Sequence, residues 1–216
     1  MKYDAILFDL DGTVIDSLQD ITDAVNHTME HFGLPCYSPQ FLRSRLGWGV
    51  GTLMRSLMPE ASEQRLAEIL AFYRPYYARH AADKSRPFPG ILPMLEALKA
   101  RGLALAIISN KPDSAVQPLA ERYFSGLMSL SVGELEGVRR KPEPDMLLSA
   151  ADTLGVDIRR CLYVGDTEVD IQTAQNTGID CLCVTWGFRD RDELIRAGAV
   201  HIVDTAEEMT DFVLNS

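Results

Sequence analysis

The 216-residue chain sets 21 Lys and Arg against 31 Asp and Glu, a formal net charge of −10, and 46% of its residues are hydrophobic. That length suits one core domain with a modest insert, and the acidic balance disfavours nucleic acid and anionic membranes as partners. No apolar stretch approaches the ~18 residues needed to span a bilayer, and the cysteines at 36, 161, 181 and 183 lack the density of a disulfide scaffold.

The chain enters its first apolar run, Ala5-Ile6-Leu7-Phe8, directly after Met1-Lys2-Tyr3-Asp4, so no signal peptide is expected. The expected compartment is a reducing cytoplasm. The run is short and bounded by polar residues, as a buried strand is. Asp9 and Asp11 follow it two residues apart, so both point to one side where the strand runs out, and Gly12 permits a sharp turn. Asp-x-Asp-Gly is also a common surface turn. Paired carboxylates repel unless a cation or a shared proton relieves them, and the preceding strand together with three later matches along the chain favours function.

A helix is expected from residue 16, with Ile21, Val25, Met29 and Phe32 spaced by about four, and Gly33 closes it. Ser38-Pro39 reads as an N-cap and first helical residue, and a third helix is expected near 51. The longest helix runs from about 62, with Leu66, Ile69, Leu70, Tyr73 and Tyr77 on one side. Residues 16–86 therefore read as helical throughout, with no strand signal. After Phe88-Pro89-Gly90 the pattern changes to alternation: helix 91–101, strand 103–108, helix to 123 and strand 127–130. Helix 142–154, strand 161–164, helix 169–176 and strand 181–184 continue it, and Thr205 with Glu208 forms a capping box for a last helix. Cys181-x-Cys183 falls on one face of a core strand, with a metal site there as the alternative. This alternation implies an α/β fold: a mostly parallel sheet with helices on both faces. Ligands bind such sheets beyond the carboxyl ends of the strands.

Polar residues follow the strands at that edge. The first strand leads to Asp9 and Asp11, the next to Ser109-Asn110-Lys111, and the strand at 161–164 to Gly165-Asp166-Thr167-Glu168-Val169-Asp170. Lys141 precedes a helix within Arg140-Lys141-Pro142-Glu143-Pro144. Oxygens that carry negative charge at this edge need hydrogen-bond donors. Ser109 and the amides after it supply donors, although alone Ser109 reads as a turn or cap serine. Asp166 and Asp170, with Asp9, offer hard oxygen ligands that suit Mg2+. Asp170 reads equally as a first-turn helix carboxylate.

Asp9-Leu10-Asp11-Gly12-Thr13-Val14 resembles the first motif of the phosphatase branch of the haloacid dehalogenase superfamily. Ser109 matches that family's second motif, Lys141 with Pro142-Glu143-Pro144 its third, and Asp166 with Asp170 its fourth. The resemblance covers nearly the whole chain. It implies a Rossmann-like core formed by 1–15 and 88–216, and a helical cap at 16–87 inserted after the first strand. It implies that Asp9 attacks phosphorus to form an aspartyl phosphate and that Asp11 is the general acid, then the base. True dehalogenases lack this second aspartate. Ser109 is implied to bind the phosphoryl group and Lys141 to steady it. Mg2+ is implied to meet the Asp9 and Asp166 carboxylates and the Asp11 backbone carbonyl, with Asp170 acting through water or holding its loop.

Arg45-Leu46-Gly47-Trp48-Gly49-Val50-Gly51 has neither the glycine spacing nor the preceding strand of a dinucleotide fingerprint. It is similar to the cap loop of bacterial phosphoglycolate phosphatases, as are Asn110-Lys111-Pro112 and Thr185-Trp186-Gly187. This implies a small phosphorylated metabolite as substrate, 2-phosphoglycolate first among them, with Gly47, Asn110 and Lys111 near it and Arg45 on its carboxylate. Each of the two cations reads equally as solvent-exposed. Pyrophosphate or sugar-phosphate hydrolysis and a non-catalytic binding protein are the alternatives. A phosphonatase is disfavoured because residues 16–82 contain no lysine. A monomer and a homodimer fit equally.

Overall fold

A computed structural model describes residues 2–216. The expected sheet is present, with six strands that all pair in parallel in the order β5-β4-β1-β6-β7-β8. The strands are β1 (Ala5–Phe8), β4 (Ala104–Pro112), β5 (Leu130–Glu134), β6 (Cys161–Gly165), β7 (Asp180–Val184) and β8 (His201–Val203). Alternation along each strand builds two cores. Ile6, Phe8, Leu105, Ile107, Leu162 and Val164 face one side, covered by α5 (Ile91–Ala100), α6 (Asp113–Phe124) and α10 (Ala206–Leu214). Ala5, Leu7, Ala106, Ile108 and Tyr163 face the other, covered by α7 (Asp145–Leu154) and α8 (Glu168–Thr177). Every strand of this central group is buried on both faces, so its sequence reads as an unbroken apolar run.

Boundaries shift, the strand expected at 103–108 running on to Pro112 as β4, and further elements appear. The strand expected at 127–130 is β5, Leu130–Glu134, because Leu127 and Met128 pack against the first core from the turn after α6. The helix expected from 142 begins at Asp145, after Pro144 in the N-cap position. The short α9 (Arg191–Arg196) and edge strand β8 were not expected, since six and three residues carry too few periods to read. The third addition is an antiparallel ribbon, β2 (Ile15–Asp16) with β3 (Arg86–Pro87), which corrects the all-helical reading of 16–86 at both of its ends.

Between those strands lie α1 (Leu18–His31), α2 (Pro39–Arg43), α3 (Val50–Leu57) and α4 (Glu63–His80). Ile21, Val25, Met29, Leu53, Ile69 and Tyr73 give these helices a core of their own. Ser38 and Ser62 cap α2 and α4 by accepting from Phe41 N and Arg65 N, both at 3.2 Å. The returning chain is tied to α1 by Asp20, a buried carboxylate. Asp20 accepts from Lys84 N at 3.0 Å, Ser85 N at 2.8 Å and Ser85 Oγ at 2.7 Å.

The strand order places the site. The chain leaves β1 toward β4 and β5 on one side, then crosses to β6, β7 and β8 on the other. The topological switch therefore lies beside β1, where a crevice opens at the carboxyl ends of the strands. Among the described residues, no helix is long and apolar enough to cross a membrane.

Replacing Asp20 with Ala would orphan the Lys84 and Ser85 amides inside the structure, each costing about 1–3 kcal/mol. Urea unfolding of Asp20→Ala is expected to show a loss of about 3 kcal/mol, with Asp20→Asn intermediate. Wild-type stability in the Ala variant would show that the tie carries no weight.

Candidate active site

Asp9 continues from β1, and its amide still donates to Val164 O of β6 at 2.8 Å. Its carboxylate is buried, and Oδ1 accepts from Leu10 N at 2.7 Å and lies 2.9 Å from Lys141 Nζ. No other donor among the described residues reaches this carboxylate, so Oδ2 is left for chemistry. The turn after Asp11 depends on Gly12, whose φ of 86° is left-handed and whose Cβ position would fall on the Asp166 carboxylate.

Lys141 sits fully buried among Asp9, Asp170 and Tyr163, 2.9 Å from Asp170 Oδ1 and 2.7 Å from the Tyr163 hydroxyl. That hydroxyl donates in turn to Asp170 Oδ1 at 3.0 Å. Burial would lower the ammonium's pKa, but Asp170 and Asp9 outweigh it and raise it, so Lys141 stays charged.

Asp170 uses both oxygens structurally. Oδ2 accepts from Thr167 N at 3.0 Å, Thr167 Oγ1 at 2.9 Å and Asp166 N at 3.2 Å, which folds the loop and caps α8. Burial would raise its pKa, but Lys141 and these donors hold it below the usual carboxylate value. Asp166 is held from two directions: Thr13 Oγ1 donates to Oδ1 at 2.8 Å and Phe188 N to Oδ2 at 2.6 Å. Gly187 packs so closely on Asp166 and the Gly12 carbonyl that a side chain there would overlap both.

Asp9, Asp11, Gly47, Ser109, Asn110 and Lys111 line one cavity of about 60 Å³ between the sheet edge and the helical insert. Ser109 and Lys111 belong to the last residues of β4, beyond its regular pairing with β5. Lys111 is not solvent-exposed: its ammonium lies 2.8 Å from Asp11 Oδ1 and also meets the Tyr77 hydroxyl of α4. Asn110 Nδ2 joins the two parts of the chain, donating to Gly47 O at 3.1 Å and Lys141 O at 3.0 Å.

Arg45 is not brought to the cavity. Its guanidinium stacks on the Phe41 ring at 3.7 Å and donates to Phe41 O at 3.0 Å, so the local turn after α2 uses it up. Sequence reading also missed Tyr163, Thr13, Phe188 and Tyr77. Tyr163 carried a signal, because a tyrosine in a fully buried strand must find a partner for its hydroxyl. Phe188 and Thr13 act through a backbone amide and an ordinary hydroxyl, which carry none.

Asp9, Asp166 and Asp170 bring one carboxylate oxygen each to within 4.8 Å of one another. Burial pushes Asp9 up to about 7 and Asp166 well above the normal carboxylate value. Packed hard oxygens that resist ionisation alone are a donor set a divalent cation fits. Asp9 and Asp166 are the two with capacity to spare, whereas Asp170 is already saturated.

The whole chain compares closely with known proteins. Residues 6–184 match the family model for haloacid dehalogenase-like hydrolases. The phosphoglycolate phosphatase of Chromobacterium violaceum is 32% identical over 220 residues, covering 98% of this chain and 96% of that one. That of Aquifex aeolicus is 33% identical over 184 residues, 85% of each chain. A crystal structure of a phosphoglycolate phosphatase candidate from Lactobacillus delbrueckii subsp. bulgaricus superposes with a TM-score of 0.92 at 37% identity, covering 100% of both chains.

With raised native pKa values, Asp9 and Asp166 hold protons that the unfolded chain sheds above about pH 4. Their contribution to stability therefore falls as pH rises toward 7. A cation replaces those protons. At one fixed concentration, about 100-fold over its Kd near pH 7.5, Mg2+ is expected to raise the Tm by about 5–10 °C at that pH and by much less near pH 5. A shift of equal size at both values, or one retained in Asp166→Asn, would contradict the assignment.

Proposed function

The chain belongs to the haloacid dehalogenase-like hydrolases and is a phosphatase, and from that premise we propose that it hydrolyses a small phosphomonoester through a phosphorylated Asp9. The observation that carries this reading is the shared cavity in which Asp9, Asp11, Ser109 and Lys111 meet. Lys141 and Leu10 N fix Oδ1 of Asp9, which orients Oδ2 for attack on phosphorus. The P–O bond to the leaving group breaks as the bond from Oδ2 forms. Asp11 gives a proton to the departing oxygen, then takes one from the water that attacks the aspartyl phosphate. Orthophosphate leaves and Asp9 is restored. The Ser109 hydroxyl and the amides that follow it serve the non-bridging oxygens.

Mg2+ suits the acidic donor set; Asp9, Asp166 and the Asp11 carbonyl would hold it, and it would supply charge neutralisation at the phosphoryl group. Asp170 is a positioning residue that keeps Lys141 and the 165–170 loop in place. The relatives named phosphoglycolate phosphatases support 2-phosphoglycolate as substrate, and so does the small cavity. Its carboxylate has a partner in Lys111, shared with Asp11, rather than in Arg45. We further propose that 1–15 and 88–216 form the catalytic core and 16–87 a lid that excludes water around the enclosed ester. Tyr77 and Gly47 are its contacts at the cavity. With no membrane-spanning helix among the described residues, a cytoplasmic setting is consistent with such a metabolite.

The test is phosphate release from a panel of phosphoglycolate, pyrophosphate, hexose phosphates and nucleotides, with and without Mg2+. Asp9→Asn is expected to lose at least about 10³-fold in kcat while remaining folded. Mg2+-dependent release favouring phosphoglycolate is the expected pattern. Even release over the panel would remove the substrate, and undiminished release by Asp9→Asn would remove the mechanism.

A further inference from the structure

The insert meets the core at a second place, outside the cavity. Arg189 follows β7 and is almost completely buried. Its Nε and Nη2 donate to Glu168 at 2.8 and 2.9 Å, and its remaining donors reach Arg43 O at 3.1 Å and Leu46 O at 3.0 Å in the insert. Those carbonyls belong to the end of α2 and the turn after it, where intrahelical partners run out, although Arg43 O also accepts from Leu46 N at 3.3 Å. A cation suits a helix carboxyl end. Arg43 makes the reciprocal contact, donating through Nε at 3.2 Å and Nη2 at 2.6 Å to Gly187 O in the core. Trp48 completes the set, its indole N–H donating to Glu168 Oε1 at 2.9 Å.

None of Arg43, Trp48, Glu168 and Arg189 lines the cavity, yet their chain neighbours Leu46, Gly47 and Phe188 do. The contacts of Arg43 and Trp48 with the core, and of Arg189 with the insert carbonyls, cross between the two parts of the chain, so they would break if the insert moved away, whereas the Arg189–Glu168 pair lies within the core.

We propose that Arg43, Trp48, Glu168 and Arg189 form a clasp that holds the 46–50 loop over the cavity and thereby sets the preference for phosphate esters small enough to be enclosed. The inference rests on reading the insert as a lid. An ester that fits the cavity of about 60 Å³ is turned over with the loop docked and gains what docking supplies. A bulky aryl ester holds the loop away and gains nothing from the clasp. The clasp residues are thus positioning residues for specificity, with no contact to the reacting atoms.

The test uses changes on the insert side, which leave the Glu168–Arg189 pair and the Asp166 loop intact. Trp48→Phe removes the indole donor and keeps an aromatic ring, and Arg43→Met removes two donors and keeps the apolar stem. Values of kcat/KM are compared for p-nitrophenyl phosphate and for the smallest ester of the panel that the wild type turns over. In the double variant the small ester is expected to lose about tenfold or more, while the aryl ester stays within about twofold. Either single variant is expected to move the same ratio in the same direction. Parallel losses on both esters, or an unchanged ratio, would overturn the clasp. A wild type with no preference for the small ester would overturn the lid reading beneath it.

Discussion

Lys141 is buried between two carboxylates, and much of the site follows from that arrangement. A lone ammonium or a lone carboxylate in this environment is held in its charged form only at a cost of several kcal/mol. Here each covers the others: Lys141 joins Asp9 and Asp170 at 2.9 Å, and the Tyr163 hydroxyl fills the remaining gap. Together they fix one oxygen of Asp9 and leave the other without a donor. They also leave a deficit of positive charge, because Asp11 and Asp166 sit close by with Lys111 as the further cation. Burial raises the pKa of Asp9 and Asp166, and the neighbouring carboxylates add to the rise. The site thus suits a cation by its charge as well as by its oxygens.

The backbone that delivers these groups is a consequence of strand order. Because β1 lies between β4 and β6, the ends of three neighbouring strands supply Asp9, Ser109 and Asp166 within one crevice. The second shell is equally constrained. Gly12 and Gly187 approach Asp166 too closely for any side chain, and Phe188 N completes its hydrogen bonding. The segment 187–189 therefore contacts the acidic loop and the insert at once.

Much of this was legible in the sequence, and the reasons differ by residue. The central strands announced themselves because burial on both faces demands unbroken apolar runs such as Ala5–Phe8 and Cys161–Val164. Asp9, Asp11 and Asp166 stood out because charged residues at strand ends have few structural reasons to be there, and Lys141, which precedes a helix, stood out only by its likeness to a family motif. The β2–β3 ribbon was hidden, since two-residue strands have no period. Arg45 was misplaced because a cation next to a glycine-rich loop has two outlets, and the Phe41 ring offers the nearer one. Arg189 and Glu168 were passed over because a charge pair is read as solvated surface until tertiary structure buries it.

The most direct test of the account is chemical trapping of the phosphorylated enzyme. Acid-quenched turnover with an isotopically labelled substrate, followed by borohydride reduction and peptide mass analysis, locates any acyl phosphate. The account predicts modification at Asp9 alone, dependent on substrate and lost on hydroxylamine treatment. A catalytically competent enzyme that turns over substrate rapidly with no trapped modification at Asp9, or with modification at another residue, would contradict it.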